Sequence, residues 1–223
     1  MNEMCLYCER FINRNETWAR IFTIEKNKWL CTNCETQFKR ITGTVCQYCS
    51  RPHQREFCSD CKYWNKKYYG VFSGNRSIFE YNEFMKEYMN QYKFRGDYIL
   101  VKYFATILQQ MFQQYKEYLF VPIPLSKQRL YERGFNQAEA IIKEANFPVT
   151  SVLMRMDEEK QSKKNRFERI KMTQSFSVIE NVKQKNILLI DDIYTTGATI
   201  HQAALQLKEA GAGEIRSITI ARS

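Results

Sequence analysis

Between Asn186 and Ile200 the sequence reads NILLIDDIYTTGATI, an order of residues that few folds can accept. The four apolar residues Ile187 to Ile190 have the length and branching of a strand. Their unbroken run predicts burial on both faces, as in a parallel α/β sheet. Two carboxylates, Asp191 and Asp192, follow at the carboxyl end, where ligands of such sheets sit. Residues Tyr194 to Thr199 then make a small hydroxyl-rich turn with one glycine, Gly197, opening onto an amphipathic helical run. Backbone N–H groups and hydroxyls at a helix N-terminus form a phosphate cradle. The acids would repel that phosphate, so they suit ribose hydroxyls beside it, or a Mg²⁺ carried on a pyrophosphate.

A phosphate site next to a diol site describes a 5-phosphoribosyl group. The stretch resembles the PRPP-binding motif of type I phosphoribosyltransferases. That resemblance implies that Asp191 and Asp192 are the catalytic pair, holding the 2′- and 3′-hydroxyls, and that Tyr194, Thr195, Thr196, Gly197, Ala198 and Thr199 wrap the 5′-phosphate.

All eight cysteines lie in four C-x-x-C pairs within the first 61 residues: Cys5/Cys8, Cys31/Cys34, Cys46/Cys49 and Cys58/Cys61. Two residues between cysteines let both sulfurs of a tight knuckle face one metal, so four knuckles make two structural Cys₄ zinc sites. The simplest pairing is sequential, Cys5, Cys8, Cys31 and Cys34 around one Zn²⁺ and Cys46, Cys49, Cys58 and Cys61 around the other. Spacing alone leaves an interleaved pairing open. Sixty residues with few long apolar runs need such staples to fold. Complete Cys₄ sets leave no ligand position for His53, which reads as a loop residue.

The formal charge of +10 favours polyanions. Two zinc-thiolate centres of net charge −2 each bring it to about +6, so basicity is a hint only. No apolar run approaches the roughly 18 residues that would span a bilayer, and the N-terminus lacks a signal-peptide layout. A cytoplasmic protein is expected. With two histidines, His53 and His201, a serine-type triad has little to work with.

From Lys62 to Gly74 the chain is aromatic and basic, with Lys66, Lys67 and Tyr68 at its centre. Such residues can stack bases while holding phosphates, or can pack one domain against another. The expected organisation is a double zinc-ribbon module at 1–62, a linker at 63–75 and an α/β domain at 76–223. Ser77–Phe94 is expected to hold a strand or hairpin and a short helix. An apolar stripe from Ile99 to Phe112 predicts a core helix over about Asp97 to Lys116. Tyr118–Pro122 reads as a buried strand, followed by a basic turn from Lys127 to Gln137 and an amphipathic helix from Asn136 to Ala145. Arg129 and Arg133 in that turn suit pyrophosphate, since guanidinium forks grip phosphate bidentately.

Paired cysteine knuckles, then VPIPL, ERGFNQA, a basic loop and LLIDDIYTTGAT resemble the ComF family of competence-associated proteins over essentially the whole chain. The fold this implies is a parallel twisted sheet of the type I phosphoribosyltransferase kind, preceded by a small Cys₄ zinc-ribbon module. The resemblance also implies a role in DNA uptake during natural transformation, beside a helicase-like ATPase. Val149–Met156 is another expected strand, and the basic segment Asp157–Lys171 then corresponds to a flexible loop over the active site. There Lys163, Lys164, Arg166 and Arg169 would meet pyrophosphate or a nucleic-acid backbone. The chain departs from the family pattern here, with Glu158-Glu159-Lys160 ahead of Gln161 and Met172 near the loop's end.

A helix from Thr199 to Ala210, capped by Gly211, and a strand from Glu214 to Ala221 close the sequence. No further segment is left for a base-binding hood, so a base pocket would come from the zinc region or from Ser77–Phe94. Two functions follow. One is a competence factor that binds single-stranded DNA and a phosphoribosyl ligand and partners the ATPase. The other is an active Mg²⁺-dependent phosphoribosyltransferase using PRPP. A regulator that only senses PRPP is a third reading.

Overall fold

The computed structural model describes residues 4–12, 28–53, 56–94, 96–156 and 175–223. Four parallel strands form the central sheet: β1 (Asn75–Glu80), β2 (Leu119–Pro122), β5 (Ile187–Tyr194) and β6 (Ile215–Arg222), in the spatial order β1-β6-β5-β2. The protein is thus an α/β protein built on a parallel sheet. A separate antiparallel hairpin pairs β3 (Leu153–Arg155) with β4 (Phe176–Val178).

β5 behaves as its apolar run requires. Leu188 and Ile190 pack into one core, with α3 (Glu83–Phe94), α4 (Val101–Phe112) and α6 (Gln137–Glu144). Ile187 and Leu189 pack into a second core, with α7 (Ala198–Glu209). All four side chains are at most 1% exposed, each worth roughly 1.5–3 kcal/mol over an exposed position. The helices serving β5 and β2 therefore lie on opposite faces, and a crevice opens between the carboxyl ends of the two strands, as it does where strand order reverses. Register closes the bottom of that crevice: Pro122 pairs with Ile190, and the Ile123 N–H donates to the Ile190 carbonyl at 2.9 Å.

Among the described residues the cysteine segments share the two cores of the sheet. Cys5, Leu30, Cys34 and Phe38 belong to the core of α3 and α4, where the Phe38 ring stacks on Tyr103 at 5.1 Å. Cys46, Cys49, Cys58 and Cys61 belong to the core beneath α7. The two cysteine groups therefore brace opposite faces of the sheet.

Two elements differ in kind from their sequence reading. Tyr63–Lys67 is the second half of helix α2 (Ser59–Lys67), so the boundary expected at 62/63 falls within a helix. The basic turn holds a helix, α5 (Lys127–Arg133): the Ser126 hydroxyl caps its start, accepting from the Arg129 N–H at 3.3 Å, and Gly134 ends it at φ +75°. Among the described residues no helix is long and apolar enough to cross a membrane.

Candidate functional site

The crevice is a cavity of about 280 Å³ walled by several parts of the fold. Asp191 and Asp192 come from the end of β5, Thr195 from the loop after it, Thr199 from the first turn of α7, and Arg129 and Arg133 from α5. Lys93 enters from α3 and Arg155 from the β3–β4 hairpin.

The two acids have different surroundings. Asp192 forms an ion pair with Lys93, both side chains being only about one-seventh exposed, at 14% and 13%. Burial, and then the neighbouring Asp192 charge, push Asp191 up to about 7. The Asp192 N–H, donated to Asp191 Oδ1 at 2.9 Å, and the charges of Lys93 and Arg155 work against that rise. Asp191 is therefore balanced between acid and carboxylate near neutrality. It can accept hydrogen bonds from a ribose diol or take part in Mg²⁺ binding once ionised.

The loop after β5 is held from below. Gly197 sits at φ +83°, and a Cβ there would lie 2.2 Å from the Tyr194 hydroxyl, so only glycine fits. Tyr194 itself is buried, its ring under the Arg222 guanidinium at 5.0 Å. Arg222 Nη1 donates to the Tyr194 carbonyl at 3.0 Å, and Trp64 Nε1 donates to the Thr196 carbonyl at 2.7 Å. The Trp64 ring stacks on His201 of α7 at 4.7 Å. Burial drives the His201 imidazole down to about 4, so it is neutral at pH 7. With its carbonyls occupied, the loop can turn its N–H groups and the start of α7 to an anion.

Opposite, Asn136 caps α6 by accepting from the Ala138 and Glu139 N–H groups, and its amide donates to the Ile123 carbonyl at 3.0 Å. This fixes α6 to the end of β2. Arg129 and Arg133 lie one turn apart on α5, facing the acids. Arg133 Nη1 donates to Gln137 Oε1 at 2.9 Å, while its buried Nε has no partner among the described residues.

The cysteines gather in sequence order, Cys5, Cys8, Cys31 and Cys34 in one group and Cys46, Cys49, Cys58 and Cys61 in the other, with the sulfurs of each group within 4.8 Å of one another. The Cys8–Cys31 and Cys49–Cys58 sulfurs are 3.7 Å apart. That is far beyond a disulfide bond, and a tetrahedron with Zn–S bonds of about 2.3 Å has edges of about 3.8 Å. Donor type, number and spacing fit, so each group could hold one zinc ion. A hydrogen bond from Cys61 and the nearby Arg222 drive the Cys49 thiol down to about 4. Arg222 is 2% exposed and thus lies buried between this cysteine group and the Tyr194 carbonyl.

The structure brings Asp191, Asp192, Thr195, Thr199, Arg129 and Arg133 to one cavity. Tyr194, Thr196, Gly197 and Ala198 shape the loop from outside that lining. Lys66, Lys67 and Tyr68 stand apart at the end of α2, where the Lys67 ammonium lies 5.1 Å from the Tyr68 ring centroid and 5.7 Å from that of Trp64. Lys163, Lys164, Arg166 and Arg169 fall outside the described residues. Sequence reasoning missed Lys93, Arg155, Trp64 and Arg222 as parts of the site. For Arg222 the local signal was weak, since β6 reads IRSITIAR and carries a second cation, Arg216.

The family model described as phosphoribosyl transferase domain matches residues 101–223. Competence protein ComFC of Streptococcus pneumoniae is 39% identical over 220 residues, covering 98% of this chain and 99% of that protein. Competence protein ComFC of Bacillus subtilis is 38% identical over 228 residues, covering 99% and 95%. Competence protein F of Haemophilus influenzae is 24% identical over 245 residues. Among solved structures, a purine phosphoribosyltransferase from Pyrococcus horikoshii aligns with a TM-score of 0.34 and 15% identity, over 53% of this chain and 80% of that one. Near-complete coverage by two ComFC proteins, together with the matched domain, shows that this chain belongs to the ComF family of competence proteins.

Proposed function

We propose that this chain is a late competence protein for DNA uptake in natural transformation, one that binds a Mg²⁺-PRPP-like phosphoribosyl ligand and single-stranded DNA and acts with a helicase-like ATPase. The observation carrying the proposal is the meeting of an acid pair, a phosphate-type loop and two arginines in one cavity, in a chain whose relatives are named competence proteins. Thr195, Thr199 and the start of α7 would take the 5′-phosphate, and Asp191 and Asp192 the ribose hydroxyls. Arg129, Arg133 and Arg155 would take the pyrophosphate, with Mg²⁺ supplying charge neutralisation on it.

Single-stranded DNA would bind at the end of α2, outside this cavity. Lys66, Lys67 and Tyr68 share α2 with the exposed Tyr63, and Tyr69 next to them is 86% exposed, a mixture suited to stacking bases and pairing phosphates. Trp64 on the same helix bonds to the phosphate loop, so a strand bound there would be felt at the cavity. Fluorescence anisotropy with a labelled oligonucleotide, titrated at several salt concentrations, tests this. Affinity should fall steeply with salt, and Lys66→Glu/Lys67→Glu should flatten that slope. A slope near zero in the wild-type chain would refute DNA binding.

An active Mg²⁺-dependent phosphoribosyltransferase is the second reading. Arg155 favours it by adding a third guanidinium where pyrophosphate would depart. Pyrophosphate release on adding an acceptor base would support it, and silence across a broad acceptor panel despite PRPP binding would exclude it.

A further inference from the structure

The two cysteine groups are attached to the cavity unequally. Cys46, Cys49, Cys58 and Cys61 share a core with Tyr194, at the head of the phosphate-type loop, and with Ile200 of α7. The other group sits in the opposite core, where Tyr7 and Phe38 pack on Phe84 and Tyr88 of α3, more than a turn before Lys93. Two polar ties run from the second group to the loop. Trp64 lies about one turn of α2 beyond Cys61, and its indole donates to the Thr196 carbonyl. Asp60, between Cys58 and Cys61, holds its Oδ2 2.7 Å from Arg51 Nη2 and 3.8 Å from Arg222 Nη2. Arg222 in turn donates to the Tyr194 carbonyl.

What these ties grip decides which way the loop's donors point. A trans peptide is planar, with its carbonyl and its N–H on opposite sides. The peptides Tyr194–Thr195 and Thr196–Gly197 are both trans. The Tyr194 carbonyl therefore shares its plane with the Thr195 N–H, and the Thr196 carbonyl with the Gly197 N–H. Drawing both carbonyls toward the cysteine side turns both N–H groups the other way, and Thr195 lines the cavity. We propose that the Cys46–Cys61 group is an allosteric metal site for the cavity. Zinc there holds the loop's donors in place for a 5′-phosphate, and a bound phosphoribosyl ligand strengthens the hold on that zinc. The Cys5–Cys34 group takes no part. This inference rests on the phosphoribosyl reading of the cavity. Coupling between two binding sites is reciprocal, so the ligand's effect on zinc affinity measures the zinc's effect on the ligand.

Equilibrium competition with a zinc-selective chelator, read by pulse alkylation and peptide mapping, follows the two cysteine groups separately in the full-length, zinc-loaded chain. Saturating Mg²⁺-PRPP should raise the chelator concentration that exposes the Cys46–Cys61 group by at least about fivefold. Mg²⁺ alone should not, and the Cys5–Cys34 group should be exposed at the same chelator concentration with or without ligand. Trp64→Phe and Asp60→Asn, which cut one tie each, should each shrink the effect. Calorimetry on the same samples records whether Mg²⁺-PRPP binds. Binding without protection of the second group, equal protection of both groups, or protection undiminished in both variants would overturn the coupling while leaving the phosphoribosyl reading intact. Second-group thiols that alkylate freely before any chelator is added would do the same. A wild-type chain that does not bind Mg²⁺-PRPP would overturn both.

Discussion

Trp64 and Thr196 are 132 residues apart in sequence, yet the indole N–H of one donates to the carbonyl of the other at 2.7 Å. The bond ties the helix that leaves the last cysteine knuckle to the loop that faces the cavity. Trp64→Phe keeps the ring stacked on His201 but removes the donor. A hydrogen bond of this kind contributes about 0.5–1.5 kcal/mol, so affinity for a phosphoribosyl ligand should fall about two- to tenfold, measured by calorimetry. The melting temperature should change little.

Arg222 makes the same connection through charge. It is buried against the Cys46–Cys61 group and bonded to the Tyr194 carbonyl. Arg222→Met would remove the cation beside the Cys46–Cys61 sulfurs, which could hold a zinc ion, and breaking such a buried pair costs about 3–5 kcal/mol. Faster zinc release to a chromogenic chelator and a lowered melting temperature are expected together. Arg222→Met that releases zinc at the wild-type rate would contradict the pairing.

Gly197→Ala should be severe. The backbone at φ +83° costs a non-glycine residue about 1–3 kcal/mol. The added methyl would also collide with the Tyr194 hydroxyl at 2.2 Å and with its ring carbon Cζ at 2.6 Å. Tyr194→Phe removes only the first of these contacts. The double variant should therefore stay well below wild type in thermal melts.

Asp191 makes stability depend on pH. Its folded value of about 7 lies above its ordinary 3.8, so between these values the folded chain keeps a proton that the unfolded chain has released. The contribution of this group is complete below about pH 3.8 and is lost as pH rises to about 7. The melting temperature of Asp191→Asn relative to wild type should therefore climb across that window and level off above it. Ligands that need the carboxylate should bind more tightly as pH approaches 7 from below.

Much of this was legible in local sequence. The apolar run of β5, its two acids and the TTGAT turn each follow from short-range rules, and the C-x-x-C spacing names its own chemistry. Helix α5 was legible too, through Ser126 as N-cap and Gly134 past its end, but its arginines read first as a loop facing phosphate. The Tyr63–Lys67 half of α2 was hidden by aromatics and lysines that resemble a linker. Lys93 and Trp64 act through partners 99 and 132 residues away, Asp192 and Thr196, and no local pattern encodes such pairings.

The most direct test of the central claim is Mg²⁺-PRPP calorimetry on the wild-type chain and on Asp191→Asn/Asp192→Asn, with melting curves to show that both are folded. The account predicts saturable binding to the wild type, loss of that binding in the folded double variant, and a weaker apparent affinity when single-stranded DNA is present. A wild-type chain that does not bind Mg²⁺-PRPP, or a double variant that binds it equally well, would contradict the account.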